Sequence, residues 1–323
     1  MNFDIDEHTV YLTTYGSHAY GTSTPESDMD VRGFAVAPRS HVQGFAYTFE
    51  QCERNPRNGH PNLDSVVYDI RKFCNLAADC NPNIIETLFV DESDIRVLHP
   101  AGKLLRDNRD LFISKKARHT FSGYAIAQLK RIRTHRGYVL NPPDHKPTRE
   151  EFGLSITEKI SADMMGAYDK MEKEASSVII QGGSIPSASP NVMELVYKER
   201  QYKAALDRWN QHENWKINRN PKRSEMERTF GYDGKHAMHL VRLLRMCREI
   251  LEGKGVIVKR PDAAELLGIR RGEWAYDDLI AWVDQEDKDM QNLYDKSSLR
   301  KTPDVKKLND LCCEAQEMFW ASK

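Results

Sequence analysis

Short β-branched and aromatic runs alternate with chain breakers over the first seventy residues, the pattern expected of strands. TVYLTTY at 9–15 stops at Gly16 and predicts a strand running into a turn; DVRGFAVA at 30–37 predicts a second and LDSVVYD at 63–69 a third. Between them EQCERNPRNGHPN, 50–62, is dense in Asn, Pro, Gly and charge and predicts a loop. The period then lengthens. IRKFCNLAADC, 70–80, sets Ile70, Phe73, Leu76 and Ala77 at helical spacing, with Asp69 placed to cap the helix. IIETLFVDE, 84–92, fits helix and extended chain equally well.

Beyond about residue 100 long amphipathic patterns take over, and 115–136, 155–175, 190–215, 233–252 and 304–321 all predict helices. WAYDDLIAWVDQEDKDMQ, 274–291, adds a helix with Trp274, Leu279, Trp282 and Val283 on its buried side. LNPPDHKPTREEFG (140–153) and QGGSIPSASPN (181–191) are too rich in Pro, Gly and Ser for regular structure. No internal repeat is present. The expected class is α+β: a mixed α/β domain over 1–112, then a mainly helical region over 113–323.

Composition narrows the function classes. A chain of 323 residues with 40% hydrophobic content is long enough for two cores. No apolar run reaches the ~18 residues of a membrane span, and MNFDIDEHTV is acidic where a signal peptide is basic, so a cytoplasmic protein without a membrane partner is expected. Six scattered cysteines, Cys52, Cys74, Cys80, Cys247, Cys312 and Cys313, form no CxxC pair and read as reduced thiols. The net charge is −1, but residues 1–100 carry 7 Lys/Arg against 15 Asp/Glu while 101–150 carry 12 against 4. An acidic head that gathers cations would then precede a basic segment that gathers phosphates.

The candidate chemistry lies in YGSHAYGTSTPESDMDVRG, 15–33. On a strand Asp28 and Asp30 share one face about 7 Å apart, and two carboxylates so close call for a cation; Mg²⁺ takes one or two carboxylates together with substrate phosphates. Gly16 lets backbone approach a phosphate, and the Ser17 hydroxyl can bind its oxygens. Metal-assisted phosphoryl transfer calls for a further carboxylate from another strand. Asp64 and Asp69 are the candidates, on opposite faces of one strand; Asp69 also serves as a helix cap, which favours Asp64.

Two basic stretches could face phosphates. In GYDGKHAMHLVRLLRMC, Lys235, His239 and Arg242 fall at i, i+4, i+7 with Arg245 at the edge, opposite an apolar face of His236, Leu240, Leu243 and Cys247. His236 and His239 sit three apart, but no third ligand is evident nearby, which argues against zinc. In KKARHTFSGYAIAQLKRIRTHRG, 115–137, Phe121, Ala125, Gln128 or Leu129, and Ile132 form the buried side, with Lys115, Lys116, Arg118, Lys130, Arg131, Arg133 and Arg136 at the ends. Tyr124 and Tyr138 offer stacking surfaces for RNA.

A Gly-Ser turn, a D-x-D pair and a later strand carboxylate together resemble the DNA polymerase beta nucleotidyltransferase superfamily. YGSHAYGTSTPESDMDVRG, VVYDIRKFCNLAADCNPNIIETL, FSGYAIAQLKR, GYDGKHAMHLVRLLRMCREIL and RPDAAELLGIRRGEW, in that order, resemble the YcgL/RlaP-type nucleotidyltransferases associated with RNA-repair pathways, over roughly 8–135 and 230–285. The stretch at about 140–225 lies outside the resemblance and reads as an insertion. The resemblance implies a polymerase-beta-type palm followed by a helical region, and Mg²⁺-dependent (or Mn²⁺-dependent) transfer of an NMP from an NTP with release of pyrophosphate. Asp28, Asp30 and Asp64 would hold metal and carry catalysis; Gly16 and Ser17, with Lys235, His239 and Arg242, would bind the NTP. The basic helices 115–137 and 235–245 would hold an RNA acceptor, a tRNA or a broken end. Two alternatives stand beside this reading: transfer to a protein or small-molecule hydroxyl, and a non-catalytic RNA- or nucleotide-binding module.

Overall fold

The computed structural model describes residues 3–56, 59–60, 64–156, 163, 165–166, 169–170, 190–219 and 221–323. After a four-residue helix α1 (Ile5–His8), β1 (Thr9–Tyr15) runs into α2 (Gly16–Tyr20), and the chain returns as β2 (Asp30–Ala35). Then come α3 (Arg39–Val42), β3 (Gln51–Arg54), β4 (Asp64–Asp69), α4 (Ile70–Ala78), α5 (Pro82–Leu88), β5 (Ile95–Leu98) and α6 (Pro100–Asp107). The strands form one mixed sheet in the order β3-β4-β2-β1-β5, with β2 and β4 parallel and the other neighbours antiparallel.

Two local expectations change. Gln51–Arg54, inside the stretch expected to be loop, pairs antiparallel with β4, and Cys52 packs beside Val67. Its strand character comes from that partner, not from its composition. Of the ambiguous 84–92 segment, residues 84–88 are helical within α5, started by Pro82 and by Asn81, whose side chain accepts from the Asn83 N–H, and the chain leaves the helix after Leu88.

Register explains how the sheet positions polar groups. Tyr15, Asp30 and Asp64 are neighbours across β1, β2 and β4; so are Thr13, Arg32 and Val66, and then Tyr11, Phe34 and Tyr68 on the same face. That face is apolar at one end, where the Phe34 ring lies 5.3 Å from Tyr11 and 4.4 Å from Phe73, and charged at the other. The opposite face packs Ala35 and Val67 against Ile5 and Phe49.

The helical part begins with α7 (Ala117–Leu140), followed by α8 (Pro190–Asn218), α9 (Pro221–Phe230), α10 (Gly234–Leu251), α11 (Ala263–Arg270), α12 (Tyr276–Lys296) and α13 (Val305–Ala321). Phe121, Ala125 and Ile132 of α7 are fully buried at the spacing expected of its core face. α12 buries Leu279, Val283 and Met290 together with Glu286, whose carboxylate accepts from Arg248 Nε at 2.7 Å. The helix expected at 155–175 and the loop at 181–191 fall mostly outside the described residues.

Compactness divides the chain elsewhere than at residue 112. One unit holds 1–135 with 226–323, and a second holds 136–225. The reason is long-range packing: α13 returns from the C-terminus to lie on α4 and α6, and Trp320 Nε1 donates to the Ala37 carbonyl at 2.9 Å. Within the second unit, Tyr138, His212 and Trp215 form an aromatic cluster with centroids 5.2–5.7 Å apart, and Arg149 pairs with the buried Glu199 at 2.9 Å.

Candidate active site

The charged end of the sheet face is built around Asp30. Its register partners are Tyr15 on one side and Asp64 on the other, so two carboxylates stand side by side on parallel strands. Gly16 follows Tyr15 with φ +67°, and a Cβ placed there would come within 2.2 Å of Asp30 Oδ2. A side chain at 16 is thus excluded twice, by backbone conformation and by the aspartate lying over the turn. Ser17 is half-buried one residue further on, and its carbonyl accepts from the Thr22 N–H at 2.9 Å to close the turn.

Electrostatics tie the other groups to this point. Burial, followed by the Asp64 charge, raises the Asp30 carboxyl above its ordinary range; Asp28 pushes the same way, while Arg32 and Lys235 pull it down. Asp28 is exposed in the coil just ahead of β2 rather than on the strand itself. Asp64 is exposed at the start of β4. Asp69 is turned to the other face, buried, and accepts from the Arg71 N–H at 2.9 Å as the cap of α4. The structure therefore sets Gly16, Asp30 and Asp64 side by side, puts Asp28 and Lys235 within electrostatic reach of Asp30, and leaves Asp69 on the other face.

Lys235 comes from the first turn of α10, fixed by Asp233 Oδ1, which accepts from the N–H groups of Lys235 and His236 at 2.9 and 3.2 Å. Gly234 allows the approach of α11, for a Cβ there would meet the Arg270 carbonyl at 2.2 Å. His239 is half-buried one turn after Lys235.

Arg242 corrects the expected cationic stripe. It is 5% exposed, its Nη1 donates to Glu86 Oε1 at 2.7 Å, and its guanidinium lies 3.9 Å from the Tyr20 ring centroid. Glu86, fully buried on α5, also accepts from the Tyr15 and Tyr20 hydroxyls. A guanidinium so enclosed cannot meet a triphosphate; it braces the two tyrosines that flank α2. Arg245 is likewise engaged, donating to Asp262 and Glu265, so the 235–245 stretch does not present the continuous basic surface expected of it. On α7, Lys115 donates to the Tyr294 carbonyl, Lys116 pairs with Asp79 and Arg118 with Asp287, whereas Lys130, Arg131 and Arg133 are exposed.

Sequence reasoning missed Arg32 and Glu86. Arg32 was within reach: strand alternation puts it on the same face as Asp30, where it stacks 4.4 Å from the Tyr15 ring centroid. Glu86 carried no local signal. Near the site, a groove of about 630 Å³ runs along α7, lined by Asn83, Tyr124, Gln128 and Arg131 among others. Asn83 links it to the turn, accepting from the Tyr15 hydroxyl at 3.3 Å.

Such a cluster of carboxylates beside a lysine and a glycine turn is suited to holding a cation against phosphate. Residues 4–140 match the family described as RlaP, RNA repair pathway DNA polymerase beta family. The RlaP match spans the whole five-stranded sheet and with it Gly16, Asp28, Asp30 and Asp64, so the likeness to a polymerase-beta-type domain falls on the N-terminal part. A relative, the uncharacterized 38.9 kDa protein of the nrdC-mobD intergenic region of Enterobacteria phage T4, is 32% identical over 130 residues. That match spans 37% of this chain and 37% of the phage protein. No solved structure matches. No helix among the described residues is long and apolar enough to cross a membrane.

Proposed function

We propose that the protein is a Mg²⁺-dependent nucleotidyltransferase that moves an NMP from an NTP to an RNA hydroxyl and releases pyrophosphate. The observation that carries this is the pairing of Asp30, which lies over Gly16, with Asp64 on the neighbouring strand. Asp30 is raised by its carboxylate neighbours as well as by burial, which marks a local excess of negative charge that a divalent cation would relieve. Asp28, Asp30 and Asp64 are the residues that would hold Mg²⁺ or Mn²⁺. Bound there, the metal would supply a nucleophile of lowered pKa and neutralise charge on the departing pyrophosphate.

The remaining steps belong to the chain. Backbone and hydroxyl at Gly16–Ser17 hold phosphate oxygens, and Lys235 meets the triphosphate from across the site, with His239 one turn behind it. Arg32 lies beside the carboxylates and limits their repulsion while no substrate is bound. Glu86 and Arg242 keep Tyr15 and Tyr20, and so the turn between them, in place. The acceptor strand follows the α7 groove, with Tyr124 available for stacking and Lys130, Arg131 and Arg133 for backbone phosphates.

The test is incubation with each labelled NTP, Mg²⁺ and total RNA, repeated with Asp28→Asn and Asp30→Asn. Label entering RNA with the wild type alone is the expected result. Label on protein or a small molecule would replace the acceptor, and no transfer to any acceptor would leave a nucleotide- or RNA-binding module.

A further inference from the structure

Three side chains able to ligate a metal converge at the first turn of α10. His135, Asp233 and His236 each offer one ligand atom, and these atoms all fall within 4.8 Å of one another. The three come from two separate parts of the chain, the late turns of α7 and the start of α10, inside one compact unit. No two of them are close enough in sequence to form a zinc spacing except Asp233 and His236, which is why the group is invisible to a search for local motifs.

The orientations of Asp233 and His236 are already set by hydrogen bonds. Asp233 uses Oδ1 to cap α10, which leaves Oδ2 facing His236 Nε2 at 3.6 Å. His236 Nδ1 is 2.7 Å from Gln128 Oε1; a carboxamide oxygen only accepts, so Nδ1 carries the proton and Nε2 carries the lone pair. His135 Nδ1 lies 3.3 Å from Glu227 Oε1, which places a buried carboxylate beside the third member. Metal-bound histidines characteristically donate the other ring N–H to a carbonyl or carboxylate in this manner. Asp233 and Glu227 are 2% and 1% exposed, so with neutral imidazoles these four groups sum to −2 out of water.

We infer that His135, Asp233 and His236 form a binding site for a divalent transition metal, Zn²⁺ by preference, separate from the magnesium carboxylates. Two imidazoles and one carboxylate suit zinc, whereas magnesium favours an all-oxygen shell. Tetrahedral zinc at about 2.0–2.1 Å from its donors sets them about 3.3 Å apart, so binding draws the group together by roughly 1 Å. The ion joins α7 to the turn that carries Lys235, which lies between two of its ligands in sequence.

The test uses the full chain stripped by a chelator, re-exposed to Zn²⁺ or Co²⁺ and freed of unbound ion by gel filtration. About one zinc per chain should be retained, and the cobalt form should show the visible ligand-field bands of a four-coordinate ion. Both should vanish in His135→Ala and His236→Ala and persist in Asp30→Asn, which separates this site from the candidate active site. Gln128→Ala spares every ligand and removes only the orienting acceptor; it should weaken zinc about 10–100-fold in a protein that still folds. Failure of the wild type to retain zinc, or retention unchanged in the histidine and Gln128 variants, would overturn the inference.

Discussion

Asp30 and Glu86 are both carboxylates drawn out of water around the same tyrosine, Tyr15, and they meet opposite surroundings. Glu86 is fully buried with an arginine on one oxygen and two tyrosine hydroxyls on the other. Asp30 is half-buried, with Asp64 and Asp28 as like-charged neighbours that Arg32 and Lys235 offset only in part, so that its carboxyl stays raised. A satisfied buried charge stiffens a fold; an under-compensated one at a surface waits for a ligand. The same contrast recurs on α10, where Arg242 is enclosed and Lys235, two turns earlier, reaches the carboxylates.

Substitutions should separate the two regions. Asp30→Asn is expected to lower transfer by about 10³-fold, because several kcal/mol of metal-borne stabilisation is lost, while making the unliganded protein more stable. The sign follows from linkage: a carboxyl raised in the folded state binds more protons there than in the unfolded chain, so stability falls as pH rises from the ordinary carboxylate value through the raised one. At neutral pH the variant should melt about 2–4 °C higher in the absence of metal. Wild-type transfer at sub-saturating Mg²⁺ should fall on acidification, because protons then compete with the cation for Asp30, and the fall should move to lower pH as Mg²⁺ is raised.

Arg242→Ala should do the reverse. Leaving Glu86 buried without its cation costs about 3–5 kcal/mol in denaturant unfolding, and transfer at low temperature should fall less than in Asp30→Asn.

How much of this the sequence revealed depends on range. The shared face of Asp30, Arg32 and Phe34 follows from strand alternation, a local rule, and the core face of α7 from helical spacing, whereas Asp28 lies in coil ahead of β2, where alternation does not apply. The β3 strand was not, since Gln51–Arg54 owes its conformation to β4. Arg242 was misread because a helical wheel gives a face without saying what packs on it; Glu86 lies 156 residues away. The division by compactness was not legible for the same reason, since a change of texture along the chain does not reveal the return of α13.

Gly16→Ala probes the contact between the regions, since its methyl group needs the space of Asp30 Oδ2 and a left-handed backbone. It should cost about 1–2 kcal/mol in stability and raise the apparent KM for NTP, measured by steady-state kinetics. The smallest effect belongs to the outer surface. Lys130→Ala with Arg131→Ala should weaken RNA retention severalfold and flatten its salt dependence by about 0.7 log units per phosphate contact removed, with NTP binding unchanged.

The central claim is that Asp30 and Asp64 act as a pair on one bound cation. Calorimetric titration of a non-hydrolysable NTP with Mg²⁺ into wild type, Asp30→Asn and Asp64→Asn tests it most directly. Magnesium-dependent binding should be present in the wild type and at least about tenfold weaker in each variant. Equal affinity in all three proteins, or binding indifferent to magnesium, would contradict it.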